Sequence, residues 1–532
     1  MIFALLPARA QTFSVAFSTF SGPNCVKNKF GVYQTPFMGT GSYPPLTSMA
    51  PFLADAGIHD LRYEIAWGKP DAFAFDQIGG TENSPTIDFT RLDPFVHMLQ
   101  TNGVAPLFAT GYDPVPLKTC SDWSSWQAVP DNLTSWEWIA RQYANHYSSS
   151  LGFKGICYEI WNEPDLSLNG SKVFFTGNQS DYGNIYACAV TGINAGASDA
   201  RVGGPAIAHD TSYLTQSGML SQPMDFASIH AYANAPGQIS AMQNALGSKS
   251  VPIYMTEYAS YTSFSSTGPN STHAAAAAFF EDVKTLLNYS NLKKVYWAQW
   301  IDDDAGMITY SLHKKAIYNA YKIYQTLLPT NRVTVIPDNS SGIDTLAAAD
   351  SGIAGIVVWN NNTFSSSVTI NLNNLPGGVG ILRLYRIDSQ NASYIDNARS
   401  ENLSVNSQWS YSTPTNSWTG TIPAQSVVFI LAQAAAGLES HYGRTPWAIP
   451  GTIQNENYDN GGEGIGYHDS DPANLGGQLT MKDLPYFEVW TSTDLKNWVM
   501  IPGTLALTNG QILFQDTNVA NQPARFYQLI KH

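Results

Sequence analysis

Two glutamates stand where the sequence suggests that two separate strands end. Glu163 follows the apolar run GICYEIW (155–161), and Glu257 lies near the end of PIYMTEYA (252–259). Only 13% of the 532 residues are charged, so carboxylates at the ends of apolar runs stand out. Cleavage of a glycosidic bond needs such a pair: an acid that protonates the leaving oxygen, and a carboxylate that attacks the anomeric carbon or activates water. The alternative is that the two are unrelated loop charges.

Neighbouring polar and aromatic residues fit the same chemistry. Asn162 directly precedes Glu163 and can hold the 2-hydroxyl of a sugar, a contact that strengthens as positive charge develops in the ring. Trp297 and Trp300 are candidate platforms for stacking on a sugar. Side chains alternate along a strand, so only one of the two can point inward, and core packing is the alternative for the other. We take Trp300 as the substrate-binding candidate.

Eight strand-like runs alternate with amphipathic segments between residues 28 and 325. They are FGVY (30–33), DLRYEIAW (60–67), APLFATG (105–111), GICYEIW (155–161), ARVGGPAIA (200–208), DFASIHAY (225–232), PIYMTEYA (252–259) and KVYWAQWI (294–301). This alternation predicts an α/β fold, a (β/α)8 TIM barrel over residues 21–330, whose active site lies at the carboxyl ends of the strands. Glu163 would then follow strand four and Glu257 would end strand seven, so that both face one cleft.

The remaining segments predict further domains. Residues 331–433 alternate apolar and polar residues between Gly, Pro and Asn turns, which predicts a β-sandwich to which the strand-like residues 11–20 contribute. Residues 434–440 read as a linker and 441–532 as a β-rich C-terminal region. Residues 1–10, MIFALLPARA, end in Ala-Arg-Ala like the cleavage site of a secretory signal, which predicts an extracellular or periplasmic protein. An ordinary apolar start to the domain is the alternative.

Charge and cysteine content exclude several classes of partner. The chain carries 41 acidic and 27 basic residues with no Lys/Arg cluster, so nucleic acid and anionic membranes are not expected partners. The four cysteines match no zinc pattern. If the protein is exported, Cys25 and Cys120 are the preferred pair. Cys157 is either a buried thiol or paired with Cys188. The oligomeric state is not predicted.

Three short motifs resemble a known group of enzymes. WNEPD (161–165), SIHAY (228–232) and TEY (256–258) are similar to those of the retaining glycoside hydrolases of clan A. The layout most resembles family 39, which includes β-xylosidases and α-L-iduronidases. The resemblance covers about residues 12–432, because that family also carries a β-sandwich after the barrel.

The resemblance implies a role for each matching residue. Glu163 would be the general acid/base, Glu257 the nucleophile and Asn162 the contact to the 2-hydroxyl. His230 and Tyr232 would line the site, and Arg62 would lie beneath the nucleophile and help to keep it ionised. Each of these three residues also has a purely structural interpretation: His230 as a hydrogen-bonded core histidine, Tyr232 as barrel packing and Arg62 as part of a structural salt bridge.

One position departs from the family pattern. After Arg62 the family usually has a histidine-glycine pair where this chain has Glu64-Ile65, so the contacts to the non-reducing sugar are expected to differ.

The C-terminal region carries a second, shorter resemblance. Residues 449–477 are similar to the opening of family 6 carbohydrate-binding modules, which implies that the neighbourhoods of Glu456 and Glu463 help to bind a structural calcium ion. No other cofactor and no catalytic metal is expected, because two carboxyl groups and water are sufficient for the chemistry.

Together these features predict a secreted retaining glycosidase with a carbohydrate substrate of plant type, with β-xylosidic linkages as the first choice. An arabinosidase, a β-glucosidase or an endo-glycanase on the same scaffold is the alternative enzyme. A non-catalytic carbohydrate-binding protein is the alternative from another class.

Overall fold

The computed structural model describes residues 11–35, 44–66, 78–113 and 125–435, together with the backbone of five short C-terminal strands. The chain separates into two compact units, Met1–Ala432 and Gln433–His532. Among the described residues, no helix is both long enough and apolar enough to cross a membrane.

The described residues of the first unit form a closed barrel, a second large sheet, two short hairpins and eight α-helices. In chain order its strands are β1 (Gln11–Phe20), β2 (Phe30–Gln34), β3 (Asp60–Ala66), β4 (Ile78–Thr81), β5 (Ser84–Ile87), β6 (Ala105–Gly111), β7 (Cys157–Ile160), β8 (Ser167–Leu168), β9 (Ser171–Lys172), β10 (Arg201–Ile207), β11 (Phe226–Tyr232), β12 (Ile253–Ala259), β13 (Leu292–Ala298), β14 (Arg332–Ile336), β15 (Asn339–Ser340), β16 (Ile343–Asp350), β17 (Ile353–Asn360), β18 (Ser366–Asn373), β19 (Gly380–Ile387), β20 (Val405–Tyr411), β21 (Thr415–Ile422) and β22 (Val427–Ala434). The helices are α1 (Ala50–Ala56), α2 (Asp93–Thr101), α3 (Leu133–Ala144), α4 (Gln179–Gly196), α5 (Ser212–Thr215), α6 (Ala235–Leu246), α7 (Ala274–Leu286) and α8 (Ala316–Lys322).

Eight parallel strands form a closed barrel. Their hydrogen-bonded order is β10-β11-β12-β13-β2-β3-β6-β7, which returns to β10. One α-helix follows each of these strands along the chain, from α1 after β2 to α8 after β13. The TIM barrel predicted from the sequence is therefore confirmed, with all eight predicted strands in it.

Burial explains why these strands are visible in the sequence. Every residue of β12, IYMTEYA, is buried, as expected for a parallel strand covered on both faces. Two of the surrounding helices have side-chain caps: Asn132 caps α3, and α4 has a capping box between Asn178 and Asp181. Helix α4 also packs closely on α3, because a Cβ added to Gly192 would lie 2.2 Å from the carbonyl oxygen of Glu137.

A ten-stranded sheet follows the barrel. Its main path is β20-β19-β22-β17-β16-β14-β1-β18-β21, and β1 pairs antiparallel with β14 and parallel with β18. Burial alternates along β18, as in a strand with one face toward a core. Leu384 and Ile370, from opposite ends of this path, belong to the same core as Val15. The sheet therefore folds over on itself into a sandwich around that core.

The second unit contains β23 (Phe487–Ser492), β24 (Val499–Met500), β25 (Ala506–Thr508), β26 (Gln511–Leu513) and β27 (Phe526–Lys531). Strands β24, β23 and β27 form an antiparallel sheet, and β25 pairs with β26. The expected signal remnant at 1–10, most of the expected linker and the expected calcium-binding neighbourhoods of Glu456 and Glu463 lie outside the described residues.

The cysteine pairing needs one correction. Cys157 and Cys188 are both free, so the disulfide considered between them is wrong. Cys157 packs with Tyr33, Leu107 and Tyr254 in the interior of the barrel, whereas Cys188 lies on α4 outside it. Cys25 is a buried free thiol, and its expected partner Cys120 lies outside the described residues.

Candidate active site

A cleft opens at the carboxyl ends of the barrel strands. Both glutamates singled out from the sequence line it, and Glu163 and Glu257 are only 8% and 7% exposed. The remaining described residues that line it are Tyr33, Thr35, Glu64, Asn162, Phe174, Tyr232, Phe264, Ala298 and Gln299.

The turn after β7 has an unusual backbone that aims Glu163 into this cleft. Trp161 and Glu163 have φ angles of 71° and 43°, in the left-handed region that residues other than glycine seldom adopt. Several bonds hold the turn: the Trp161 amide donates to Thr110 O over 2.7 Å, and its indole Nε1 donates to Phe174 O over 2.9 Å. The WNEPD motif therefore forms a constrained turn.

Asp165 ties the same turn to the next barrel loop. Its carboxylate accepts the backbone N–H groups of Ala208, His209 and Asp210 at 3.0, 2.7 and 2.7 Å. The side chain is only 7% exposed, so these bonds are largely shielded from water. The last residue of the motif therefore supports the turn that carries Glu163.

The carboxylate of Glu257 accepts hydrogen bonds from two side chains. Arg62 Nη1 donates to its Oε1 over 2.8 Å, and the Tyr232 hydroxyl donates to its Oε2 over 2.5 Å. Burial alone would raise the pKa of this carboxyl, but the positive charges of His230 and Arg62 and the bond from Tyr232 outweigh it and hold the pKa below its usual value. Glu257 is thus kept as a carboxylate that can act as a nucleophile.

Glu163 has the opposite electrostatic environment. Burial raises its pKa above the ordinary glutamate value, in spite of the nearby imidazole of His230, whose Nδ1 lies 2.7 Å from Glu163 Oε1. Burial would lower the pKa of His230, yet the carboxylates of Glu257 and Glu163 raise it. Because two carboxyls whose pKa values are pushed apart can serve as acid and base, the pair has the electrostatics of an acid and a nucleophile.

Arg62 joins Glu257 to Asn162 and Glu159. Its Nε donates to Glu159 Oε2 over 2.7 Å and its Nη2 to Asn162 Oδ1 over 2.8 Å, in addition to the bond to Glu257. Because Asn162 Oδ1 accepts from Arg62, the amide nitrogen of Asn162 is the group that can donate to a ligand. The structure therefore brings together all of the polar residues that the sequence analysis selected.

Trp300 is the exception, and the prediction that it stacks on a sugar is wrong in this structure. Its side chain is fully buried against Tyr318, with ring centroids 5.9 Å apart, and it is not among the cleft-lining residues. Strand β13 ends at Ala298, so the alternation expected through residue 301 stops before Trp300. Trp297 is also fully buried. Among the described residues, the aromatic side chains that line the cleft are Tyr33, Phe174, Tyr232 and Phe264.

Several further polar residues of the described site, among them Glu159, Glu64 and Gln299, had no role assigned from the sequence. Glu159 is a buried carboxylate beneath Arg62, and Glu64 lines the cleft between the hydroxyl groups of Tyr33 and Tyr112. A charged residue inside an apolar strand was the available signal for both glutamates. No such signal marked Gln299, which follows the end of β13 and also lines the cleft.

Among the described residues, Glu163, His230 and Glu257 are close enough to share a cation, since one ligand atom from each lies within 4.8 Å of the others. These atoms already bind one another, Arg62 and Tyr232. The arrangement therefore resembles a hydrogen-bonded acid and base pair more than a set of open metal ligands.

Comparison with known proteins places this site in a family. The sequence profile of glycosyl hydrolases family 39 matches residues 71–373 of this chain. A β-xylosidase from Caldicellulosiruptor saccharolyticus is 25% identical over 359 residues, covering 58% of this chain and 71% of that protein.

Solved structures share the fold. A family 39 enzyme from Xanthomonas axonopodis pv. citri superposes with a TM-score of 0.65 at 17% identity, covering 81% of this chain and 100% of that one. A monomeric β-xylosidase from Caulobacter crescentus CB15 gives 0.64 at 17% identity, with 80% and 100% covered. A bacterial orthologue of human α-L-iduronidase gives 0.63 at 13% identity, with 98% and 96% covered. The chain described here is a glycosidase that belongs to glycosyl hydrolases family 39.

Proposed function

We propose that this enzyme hydrolyses β-xylosidic bonds by double displacement, with Glu257 as the nucleophile and Glu163 as the acid/base. In the first step Glu163 gives its proton to the glycosidic oxygen while a carboxylate oxygen of Glu257 attacks the anomeric carbon. The aglycone leaves and the sugar remains as an ester on Glu257. The bond from the Asn162 amide to the 2-hydroxyl strengthens as charge develops in the ring.

In the second step Glu163, now a carboxylate, takes a proton from water, which attacks the anomeric carbon. The ester bond breaks, Glu257 is released as a carboxylate and the sugar leaves with its original β configuration. Arg62 and Tyr232 stabilise the carboxylate of Glu257 at the start and end of the cycle.

The observation that carries this proposal is the closeness of the two carboxyl groups. An oxygen of Glu163 lies within 4.8 Å of an oxygen of Glu257. Retaining glycosidases hold these groups about 5–5.5 Å apart, whereas inverting enzymes need about 6.5–9.5 Å to admit a water molecule. The separation therefore favours direct attack by Glu257.

The choice of xylose is supported by the β-xylosidase to which this chain is 25% identical. The test is hydrolysis of p-nitrophenyl β-D-xyloside followed by NMR. We expect β-xylose as the first product and loss of turnover in Glu257→Ala and Glu163→Ala. Glu281→Gln, a change on α7 where the carboxylate accepts from Trp359 and Asn361, is the matched control and should keep the wild-type rate.

Two outcomes would overturn the proposal. First release of α-xylose would mean inversion. A higher kcat/KM on the β-glucoside, the α-L-arabinofuranoside or polymeric xylan would mean that the β-xyloside is not the preferred substrate.

Export from the cytoplasm is a further part of the proposal. It is supported by the apolar residues 1–6 and the Ala-Arg-Ala sequence at 8–10. N-terminal sequencing of protein recovered outside the producing cell should begin at Gln11, and retention of residues 1–10 would contradict cleavage there.

A further inference from the structure

Glu64 places a third carboxylate in the cleft that the two-step mechanism does not use. It lies on β3 two residues after Arg62, and side chains two apart on a strand point to the same side. Arg62 lies beneath Glu257 and Glu64 lies nearer the carboxyl end of the strand, where it lines the cleft with Glu163 and Glu257. Its position is therefore one from which it can contact a sugar bound to both catalytic candidates.

Two tyrosines hold this carboxylate in a fixed orientation. The Tyr33 hydroxyl donates to Glu64 Oε2 and the Tyr112 hydroxyl to Glu64 Oε1, both over 2.7 Å. Burial raises the pKa of both tyrosines well above the ordinary value, so they remain O–H donors. The Tyr33 ring in turn lies against the Arg62 guanidinium, 4.5 Å from ring centroid to Cζ. Tyr33 thus contacts both Glu64 and the arginine that binds Glu257.

The remaining hydrogen-bonding capacity of Glu64 defines the ligand group that it needs. A carboxylate offers about four acceptor sites on its two oxygens, and the tyrosines occupy one site on each oxygen. The free sites call for donors, and two adjacent hydroxyls of a sugar ring can supply one each. Glu64 is only 7% exposed, so a ligand that displaces its water without donating leaves these sites unsatisfied, which is costly.

The same carboxylate disfavours acidic sugars. Among the described cleft-lining residues there is no Lys or Arg, and the Arg62 guanidinium beneath them already binds Glu159, Glu257 and Asn162. A uronic acid bound here would bring its own carboxylate to Glu64 and Glu257 without a free cation from these residues to pair with it. Repulsion between like charges is large where water is excluded.

We propose that Glu64 is a specificity-determining residue that selects neutral sugars, by accepting hydrogen bonds from two adjacent ring hydroxyls, and rejects uronides. This inference rests on the proposed function, because it requires the cleft to be the sugar site. It separates the enzyme in substrate class from relatives that act on charged sugars.

The test is binding of two non-hydrolysable probes, methyl 1-thio-β-D-xyloside and methyl 1-thio-β-D-glucuronide, measured by calorimetry. The proteins are wild type, Glu64→Gln, Glu64→Asp and the control Glu281→Gln. The wild type and the control should bind the xyloside at least about 10-fold more tightly than the glucuronide. Glu64→Gln should lose about 10-fold or more in xyloside affinity, as expected for hydrogen bonds to a charged group, and the preference over glucuronide should shrink.

Glu64→Asp separates charge from geometry and guards against a folding defect in Glu64→Gln. It keeps the negative charge on a shorter side chain, so it should bind the xyloside more weakly yet still reject the glucuronide. An unchanged xyloside to glucuronide ratio in Glu64→Gln would overturn the inference, as would failure of the wild type to bind the xyloside.

The binding result can be distinguished from failure of the proposed function. If the wild type hydrolyses no xyloside but its selectivity depends on Glu64, the proposed reaction is wrong and the role of Glu64 stands. If the wild type hydrolyses xylosides and the ratio is unchanged in Glu64→Gln, the reaction stands and the role of Glu64 is wrong.

Discussion

The Arg62 guanidinium donates to the carboxylate of Glu257 over 2.8 Å, and the Arg62 side chain has no exposure to solvent. The same guanidinium binds Glu159 and Asn162, so one buried cation positions the proposed nucleophile and the proposed substrate contact. Removing one partner of a buried ion pair leaves the other charge unpaired, and an unpaired buried charge is strongly destabilising.

Replacing Arg62 should therefore destabilise the barrel. Arg62→Met removes the cation and leaves the carboxylates of Glu159 and Glu257 without it, for which we expect a loss of about 3–5 kcal/mol in the free energy of unfolding. Urea unfolding measures this loss. The double variant Arg62→Met/Glu159→Gln should recover part of it because one of the two stranded charges is gone. A double variant that is no more stable than Arg62→Met would contradict the assignment.

Tyr232→Phe should move one limb of the pH profile. The tyrosine hydroxyl stabilises the carboxylate form of Glu257, so its removal raises the pKa of Glu257. The proposed mechanism requires this carboxylate, so the acidic limb of kcat/KM should shift to higher pH while the alkaline limb stays in place. We also expect kcat/KM at the optimum to fall by roughly 10-fold or more. An unshifted acidic limb would show that Tyr232 does not act through Glu257.

His230→Asn should instead move both limbs. The imidazole of His230 lowers the pKa of Glu163 and that of Glu257, so its loss raises both values. Glu257 then needs a higher pH to lose its proton, and Glu163 keeps its proton to a higher pH. The whole bell-shaped profile should shift toward alkaline pH, and a shift of only one limb would contradict the shared role of His230.

Asp165→Ala should weaken the fold more than an ordinary surface change. Three backbone N–H groups lose their acceptor in a buried turn, for which we expect about 2–5 kcal/mol less stability. Asp165→Asn keeps one acceptor oxygen and should lose less. Thermal unfolding of the two variants checks the order, and an Asp165→Ala variant as stable as the wild type would contradict the role of these contacts.

The barrel strands were predictable because their burial on both faces is reflected in their apolar sequence. Parallel strands buried on both faces read as continuous apolar runs, and β12 and β6 begin and end within a residue of the prediction. Glu163 and Glu257 were recognisable because a carboxylate at the end of such a run has few structural reasons to be there.

Side-chain direction beyond a strand end was less predictable. The pattern predicts a last barrel strand through residue 301, but β13 ends at Ala298 and Trp300 points into the core. Glu64 and Tyr33 meet only because β2 and β3 are neighbours in the closed barrel, where Tyr33 pairs in register with Arg62. A contact of this kind depends on register, which a single sequence does not display.

Glu163→Gln should separate the two steps of the reaction. The variant cannot protonate a leaving group, so kcat/KM should fall by about 10²–10⁴-fold for a methyl xyloside. Dinitrophenolate leaves without protonation, so the first step with a dinitrophenyl xyloside should be affected little and the glycosyl-enzyme should accumulate. Equal losses for the two leaving groups, measured under the same conditions, would remove Glu163 from the acid role.

Covalent labelling tests the proposed nucleophile most directly. The wild-type enzyme is treated with a 2-deoxy-2-fluoro-β-xyloside that carries a good leaving group, and the digested protein is mapped by mass spectrometry. We expect one sugar per chain, attached to Glu257, with loss of activity in proportion to labelling. A label on another residue, or inactivation without any covalent sugar, would contradict the proposed role of Glu257.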